Sequence, residues 1–246
     1  MAATRVQQVG IRGLRSVAEV RLPLAGLTVL IGDNGGGKST ILEVFELLRR
    51  ATFPSFLGDL NVVHGGLFAL GAPAGFELSV IVARDATAWQ YVLRVGAQGG
   101  SPSIERETLA LVQRPNDLLL HRRGQRCEFS DEGPKKPASA SNKTVDLPID
   151  QPALALLGPT NPTLGIGCVY SALQGFDVHV PFEVTPRWIA QAHNRPSELR
   201  RSVHFLPAHK LDRLGTNLPN VFAALRNQPN WPETMDLVRM GLGLDV

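Results

Sequence analysis

The chain has 246 residues, enough for one large domain or two small ones, and its 43% hydrophobic and 19% charged residues are ordinary for a soluble globular protein. No apolar run approaches the roughly 20 residues of a membrane span, and Cys127 and Cys168 are too few and too isolated for a disulfide framework or a zinc site. A net charge of +3 is too small to imply a nucleic-acid partner on its own. Met1 to Val6 leads straight into a strand-like pattern, which predicts no signal peptide and a cytoplasmic setting.

Arg5 to Ile11 alternates loosely, Gly13-Leu14-Arg15-Ser16 breaks the pattern, and Val17 to Leu22 alternates again with Val20 and Leu22 on one face. This predicts a β-hairpin. Leu27-Thr28-Val29-Leu30-Ile31 follows as a short buried strand. Next comes Gly32-Asp33-Asn34-Gly35-Gly36-Gly37-Lys38-Ser39-Thr40, which fits G-x-x-x-x-G-K-[ST], the phosphate-binding loop of P-loop NTPases. Ile41 to Leu48 is the expected helix after it, with Ile41, Leu42, Phe45 and Leu48 on one face.

A strand, a glycine turn and a helix N-terminus are what the chemistry requires. Glycines let backbone N–H groups converge on phosphate oxygens, and the helix N-terminus adds unpaired donors and a positive dipole end. The motif assigns Lys38 to the β- and γ-phosphates of ATP and the Ser39 hydroxyl to Mg²⁺.

The middle of the chain is β-rich. Residues 76–82 and 89–95 are alternating strands, expected as antiparallel neighbours, and residues 104–109 and 118–121 continue the meander. Residues 131–145, rich in Pro, Ser, Lys and Gly, are expected as a mobile loop. His121 to Arg126 is the densest basic cluster. With no interleaved aromatic, a solvated hairpin end outweighs a nucleic-acid contact there. The last third is read as helical: residues 151–157 with Pro152 in the first turn, residues 164–173, a strand candidate at 176–180, and a helix N-capped by Asn217 with Val221, Phe222 and Leu225 buried.

The stretch VGIRGLRSVAEVRLPLAGLTVLIGDNGGGKSTILEVFELL resembles the opening of RecF/SMC-type ABC ATPases, and more narrowly bacterial AAA-family ATPases with an ABC-type head. Residues 211–225, LDRLGTNLPNVFAAL, are similar to a segment of the same group. The resemblance implies an α/β P-loop fold with an N-terminal hairpin and a β-rich subdomain. The expected organisation is hairpin, loop and first helix in residues 1–50, the β-rich part in 75–130, the mobile loop in 131–145 and a helical part in 150–246. It also implies that Arg15 contacts nucleotide phosphate, and that Gln151 or Gln174 is the glutamine that senses Mg²⁺.

Such heads further need a signature turn and a strand ending in Asp-Glu. Neither is found. The one Asp-Glu pair, Asp131-Glu132, sits in a polar loop. The expectation is an N-terminal lobe whose C-terminal lobe is missing, and whose ATP would be sandwiched against a second head. DNA is a further possible partner, in repair, chromosome maintenance or phage defence. A nucleotide-binding regulatory or interaction module without turnover is the alternative, and a small-molecule P-loop kinase is a weaker one. Should the chain hydrolyse ATP alone, Asp85, Glu105 and Glu107 are the first carboxylates to consider.

Overall fold

A computed structural model of the chain describes residues 4–33, 36–63, 75–98, 101–130, 142–162, 165–179, 208, 210–212 and 215–241. The chain divides into two compact units, residues 1–176 and 177–246. None of the described helices is long and apolar enough to cross a membrane.

The first unit is organised by one antiparallel sheet. Its strands are β1 (Arg5–Leu14), β2 (Val17–Pro23), β3 (Gly75–Arg84), β4 (Thr87–Gln98), β5 (Ser101–Leu111), β6 (Arg114–Arg123), β7 (Arg126–Ser130) and β8 (Asn142–Asp146). Their order is β2-β1-β3-β4-β5-β6-β7-β8. Period-2 alternation gives the sheet one apolar face. Val9 and Ile11 of β1, Phe76, Leu78, Val80 and Val82 of β3, and Tyr91, Leu93 and Val95 of β4 are all buried there. Their alternates, such as Gln8, Arg12, Ser79 and Gln90, lie on the other face. The predicted hairpin and the predicted β-rich subdomain are thus one continuous sheet, because β1 pairs with β2 on one side and with β3 on the other.

Four helices contribute to the same core: α1 (Lys38–Arg50), α2 (Phe56–Val63), α3 (Ala153–Leu157) and α4 (Gly165–Gln174). The buried apolar positions of α1 are Val44, Leu47 and Leu48, continued by Ala51 just after it. That i, i+3, i+4, i+7 stripe shares Leu48 with the expected face and is otherwise rotated from it. Ile41 and Phe45 are only partly buried, and Leu42 is 50% exposed. The rotation follows from two buried glutamates on this helix. Glu43 pairs with Arg15, and Glu46 accepts from Arg50 Nε at 2.9 Å. Ion pairing lets acids occupy buried positions that a hydropathy pattern assigns to apolar residues. Phe45 also meets Phe176 edge-on, with ring centroids 5.2 Å apart.

Three further expectations need correction. Residues 27–31 form no strand. Leu27, Val29 and Ile31 are 93%, 67% and 90% exposed, and among the described residues no ladder hydrogen bond holds them. Their composition favours a strand, but both edges of β1 are already taken by β2 and β3. The expected loop at 131–145 ends early, because Asn142–Asp146 pairs with β7; residues 131–141 lie outside the described residues. Residues 176–179 carry no strand pairing, and residue 180 lies outside the described residues.

In the second unit the structure describes α5 (Leu218–Arg226) and α6 (Trp231–Gly241). Asn217 occupies the N-cap position of α5 but makes no side-chain cap. Its amide turns back instead, accepting from Asp212 N at 2.8 Å and donating to Lys210 O at 2.9 Å. Val221 is buried as expected and Leu225 only partly, whereas Phe222 is exposed and stacks edge-on with Trp231.

Candidate phosphate-binding site

The loop runs from the exposed segment 27–33 into α1, and Lys38 is the first residue of the helix. Gly32, Asp33, Gly36, Gly37, Lys38, Ser39 and Thr40 are described; Asn34 and Gly35 lie outside the described residues. Gly36 N donates to Asp33 O at 3.1 Å, which tightens the turn. Gly37 caps the helix at φ +85°, a left-handed conformation that costs a side chain about 1–2 kcal/mol. A Cβ there would also stand 3.0 Å from Val17 Cγ2. Glycine at 37 is therefore dictated both by backbone conformation and by the close approach of the β1–β2 hairpin.

The Lys38 ammonium donates to Gly32 O at 2.6 Å and Asp33 O at 2.7 Å. The loop is thereby folded around the one cation its motif assigns to phosphate. No acidic residue lies in the first turn of α1, so the positive end of the helix is left for an anion. Ser39, one residue further on, is exposed, whereas Thr40 is buried. An exposed hydroxyl at this position suits Mg²⁺ that arrives with phosphate oxygens as its other ligands. Among the described residues there is no cluster of His, Cys, Asp or Glu that could hold a metal by itself.

Arg15 stands in the turn between β1 and β2. The two residues after it, Ser16 and Val17, are the neighbours that a Cβ on Gly37 would meet. Its Nη2 donates to Glu43 Oε1 at 3.0 Å. The structure thus brings the Arg15 turn, the loop and α1 together. Glu43 was not legible as part of this group, since its partner lies 28 residues away in sequence.

The other candidates are engaged elsewhere or lie in turns. Glu107 is fully buried. Its carboxylate accepts from Ala153 N at 2.7 Å, Leu154 N at 2.8 Å and the Tyr91 hydroxyl at 2.7 Å, and it faces Arg122 at 3.6 Å. Burial pushes its carboxyl above the ordinary value, against the α3 backbone donors, Tyr91 and Arg122, which all favour the ionised form. Burial and the adjacent Glu107 push the Tyr91 phenol well up. Glu107 caps α3 and has no solvent access, so it cannot orient a water molecule. Glu105 pairs with Arg94 at 2.8 Å, and Asp85 sits in the β3–β4 turn at φ +55°.

Arg122 belongs to the expected basic hairpin end, yet it is fully buried. It donates to Gly124 O at 2.7 Å, to Pro148 O at 2.5 Å and to Gln151 O. Gln151 is thus tethered through its main chain to the sheet. Gln174, at the end of α4, donates its amide to the Tyr170 hydroxyl at 2.7 Å.

Residues 27–141 match a family model described as "AAA domain, putative AbiEii toxin, Type IV TA system". The match takes in the whole loop and α1. Together with the α/β architecture it supports a P-loop AAA-type ATPase domain, and with it nucleotide binding. No curated protein matches the chain.

Proposed function

We propose that the chain binds Mg·ATP through residues 32–40 and forms part of an ATPase head of the ABC/RecF kind. The observation that carries this reading is the loop itself: a left-handed Gly37 opening α1, an unopposed helix N-terminus and Lys38 held over the loop. Ser39 would hold the magnesium ion that comes with the nucleotide. In this reading residues 27–31 are the strand that leads into the loop, and a C-terminal lobe supplies the strands that pair with it. ATP is then sandwiched between two heads. The cell setting that suits such a head is cytoplasmic, in DNA maintenance or in defence of the toxin–antitoxin kind that the matched family's description names.

Binding without turnover by this chain alone is the companion reading. It is favoured by one observation: the carboxylates considered for hydrolysis are a buried helix cap, a surface ion-pair partner and a turn residue. Hydrolysis needs a group that orients the attacking water and one that stabilises charge on the γ-phosphoryl oxygens.

Calorimetry with Mg·ATP tests the binding. Lys38→Ala removes a charge-assisted contact of roughly 1.5–3 kcal/mol, so affinity should fall about tenfold or more. Equal affinity for both proteins would overturn the assignment. Phosphate release from the chain alone should stay at background. Robust, Lys38-dependent turnover would show that the chain supplies its own catalytic carboxylate.

A further inference from the structure

Four successive strands, β4 to β7, place an arginine at the same level of the sheet. Arg94 faces Arg106, Arg106 faces Arg123, and Arg123 faces Arg126. Acids close the row on either side, Glu77 of β3 and Asp146 of β8. The chain neighbours Leu93, Glu107, Arg122 and Cys127 are buried in the core, so the four arginines stand on the opposite face. Neighbouring strands lie roughly 4.7–4.9 Å apart, which gives the row a length of about 14 Å. Like charges directly opposite one another destabilise a sheet, and here three such pairs follow in succession. Only Arg123 and Arg126 belong to the basic cluster of residues 121–126; the other two come from separate strands, so the row exists only once the sheet is paired.

The nearby acids do not saturate it. Arg94 meets Glu105 and Arg106 meets Glu77, both at 2.8 Å, and Arg126 meets Glu128 at 3.3 Å. The Arg106 and Arg126 side chains remain 46% and 70% exposed. Arg123 is exposed too and, among the described residues, makes no ion pair. Surface ion pairs are weak, whereas a phosphate accepted in a guanidinium fork is held by stronger, charge-assisted bonds. The backbone beneath is fixed. The turn between Arg123 and Arg126 is tied to β5 by Gly124 N, which donates to Glu105 O at 3.1 Å. On its other side Leu147 N donates to Gln125 O at 2.8 Å. Little backbone ordering is left for a ligand to impose.

We infer that this row is a binding site for the phosphate backbone of duplex nucleic acid, engaged without regard to sequence. A duplex carries one negative charge per roughly 1.7 Å of its axis, so phosphates outnumber the guanidiniums along the row. No aromatic side chain stands in it, which removes the stacking platform that a single strand would use. The inference does not draw on the glycine loop, and its test contains no nucleotide, so its failure leaves the ATP reading untouched.

Fluorescence anisotropy with labelled duplex DNA of two unrelated sequences tests it over about 0.05–0.2 M salt. The wild type should bind both alike, with log affinity falling against log salt at a slope of about −3 to −4, as three to four phosphate contacts require. Arg123→Ala should make that slope shallower by about 1 and weaken binding about five- to tenfold near 0.1 M salt. Arg106→Ala/Arg123→Ala should remove about 2 from the slope. Arg123→Ala also relieves two like-charge contacts, so it should melt no lower than the wild type. Arg123→Lys keeps the charge and should keep most of the slope. Arg239→Ala, which changes an exposed arginine of the second unit, should bind as the wild type does. Absence of duplex binding at the lowest salt would overturn the inference. So would wild-type affinity in Arg106→Ala/Arg123→Ala, or an equal loss in Arg239→Ala. A lower melting temperature in Arg123→Ala with unchanged duplex affinity would make the row structural and overturn it likewise. If the double variant does not fold, Arg126→Ala is read for the same change of about 1 in slope, and a wild-type slope would overturn the inference. Single-stranded DNA, polyglutamate and phosphatidylserine vesicles serve as competitors. Any of them bound more tightly than duplex, and lost in the same variants, would assign the row to that partner and overturn the duplex.

Discussion

Glu107 and Arg122 are fully buried opposite charges whose work is architectural. The carboxylate caps α3, and the guanidinium gathers the carbonyls of Gly124, Pro148 and Gln151. Together they tie residues 148–154 to the middle of the sheet. Removing one member leaves the other charge buried without its partner, at a cost of about 3–5 kcal/mol. Glu107→Ala should therefore lose that much stability in urea denaturation, while Glu107→Gln, which keeps acceptor capacity for the helix cap, should lose less.

Cys127 shares this environment. Burial, and then the charge of Glu107, pushes its thiol up to about 12. A raised folded-state value makes the sign definite: the contribution to stability is complete below the ordinary thiol value near 8.5 and is lost as pH climbs towards 12. Burial also raises the Cys168 thiol. At about pH 8 neither thiol should react with an alkylating reagent in the native chain, and both should react once denaturant is added. Fast native labelling would contradict the burial of both side chains.

Among the elements, the β1–β2 turn, the glycine loop and the start of α1 behave as one piece, and Gly37 is where they meet. Gly37→Ala would place a methyl group 3.0 Å from Val17 Cγ2 on a backbone at φ +85°. The expected result is a stability loss of about 1–2 kcal/mol from the backbone alone, with weaker ATP binding as the turn is pushed off the loop. Wild-type affinity in this variant, measured by calorimetry, would show that the contact is incidental. This junction explains what the sequence could disclose. The nine-residue motif and the helix after it are local in the chain, so their residues name the site directly. The long strands β1, β3 and β4 alternate cleanly because one face is buried and the other is wet. β7 and β8 are not legible in the sequence because five-residue segments such as RCEFS and NKTVD are held by ladder pairing, with little propensity of their own. Residues 27–31 erred in the opposite direction, with high propensity and no partner strand. Helical periodicity alone does not predict the full buried face of α1, because Glu43 and Glu46 are buried through ion pairs that it does not encode.

At the scale of the molecule, the segment leading into the loop stands out because it lies outside the sheet. Leu27, Val29 and Ile31 put apolar side chains into solvent in a stretch whose backbone donors and acceptors are not taken up by the sheet. Exposed apolar residues on an unpaired extended segment form a ready template for another strand. The first consequence is self-association. Light scattering on the isolated chain should report species larger than a monomer that grow with concentration. The second is that charge on this segment should suppress it. Val29→Lys with Ile31→Lys places like charges on each copy, so pairing of two such segments becomes repulsive as well as less hydrophobic. Neither residue belongs to the sheet core, so the double variant should retain the wild-type melting transition while its light scattering falls to the monomer value. The third concerns the loop. If a partner strand is what completes the segment, a separately expressed C-terminal lobe should bind the wild-type chain and not the double variant. It should also restore Lys38-dependent phosphate release to the wild type alone. A clean wild-type monomer at all concentrations, with a cooperative melt, would mean that the segment is satisfied without a partner, and the two-lobe organisation would fall with it.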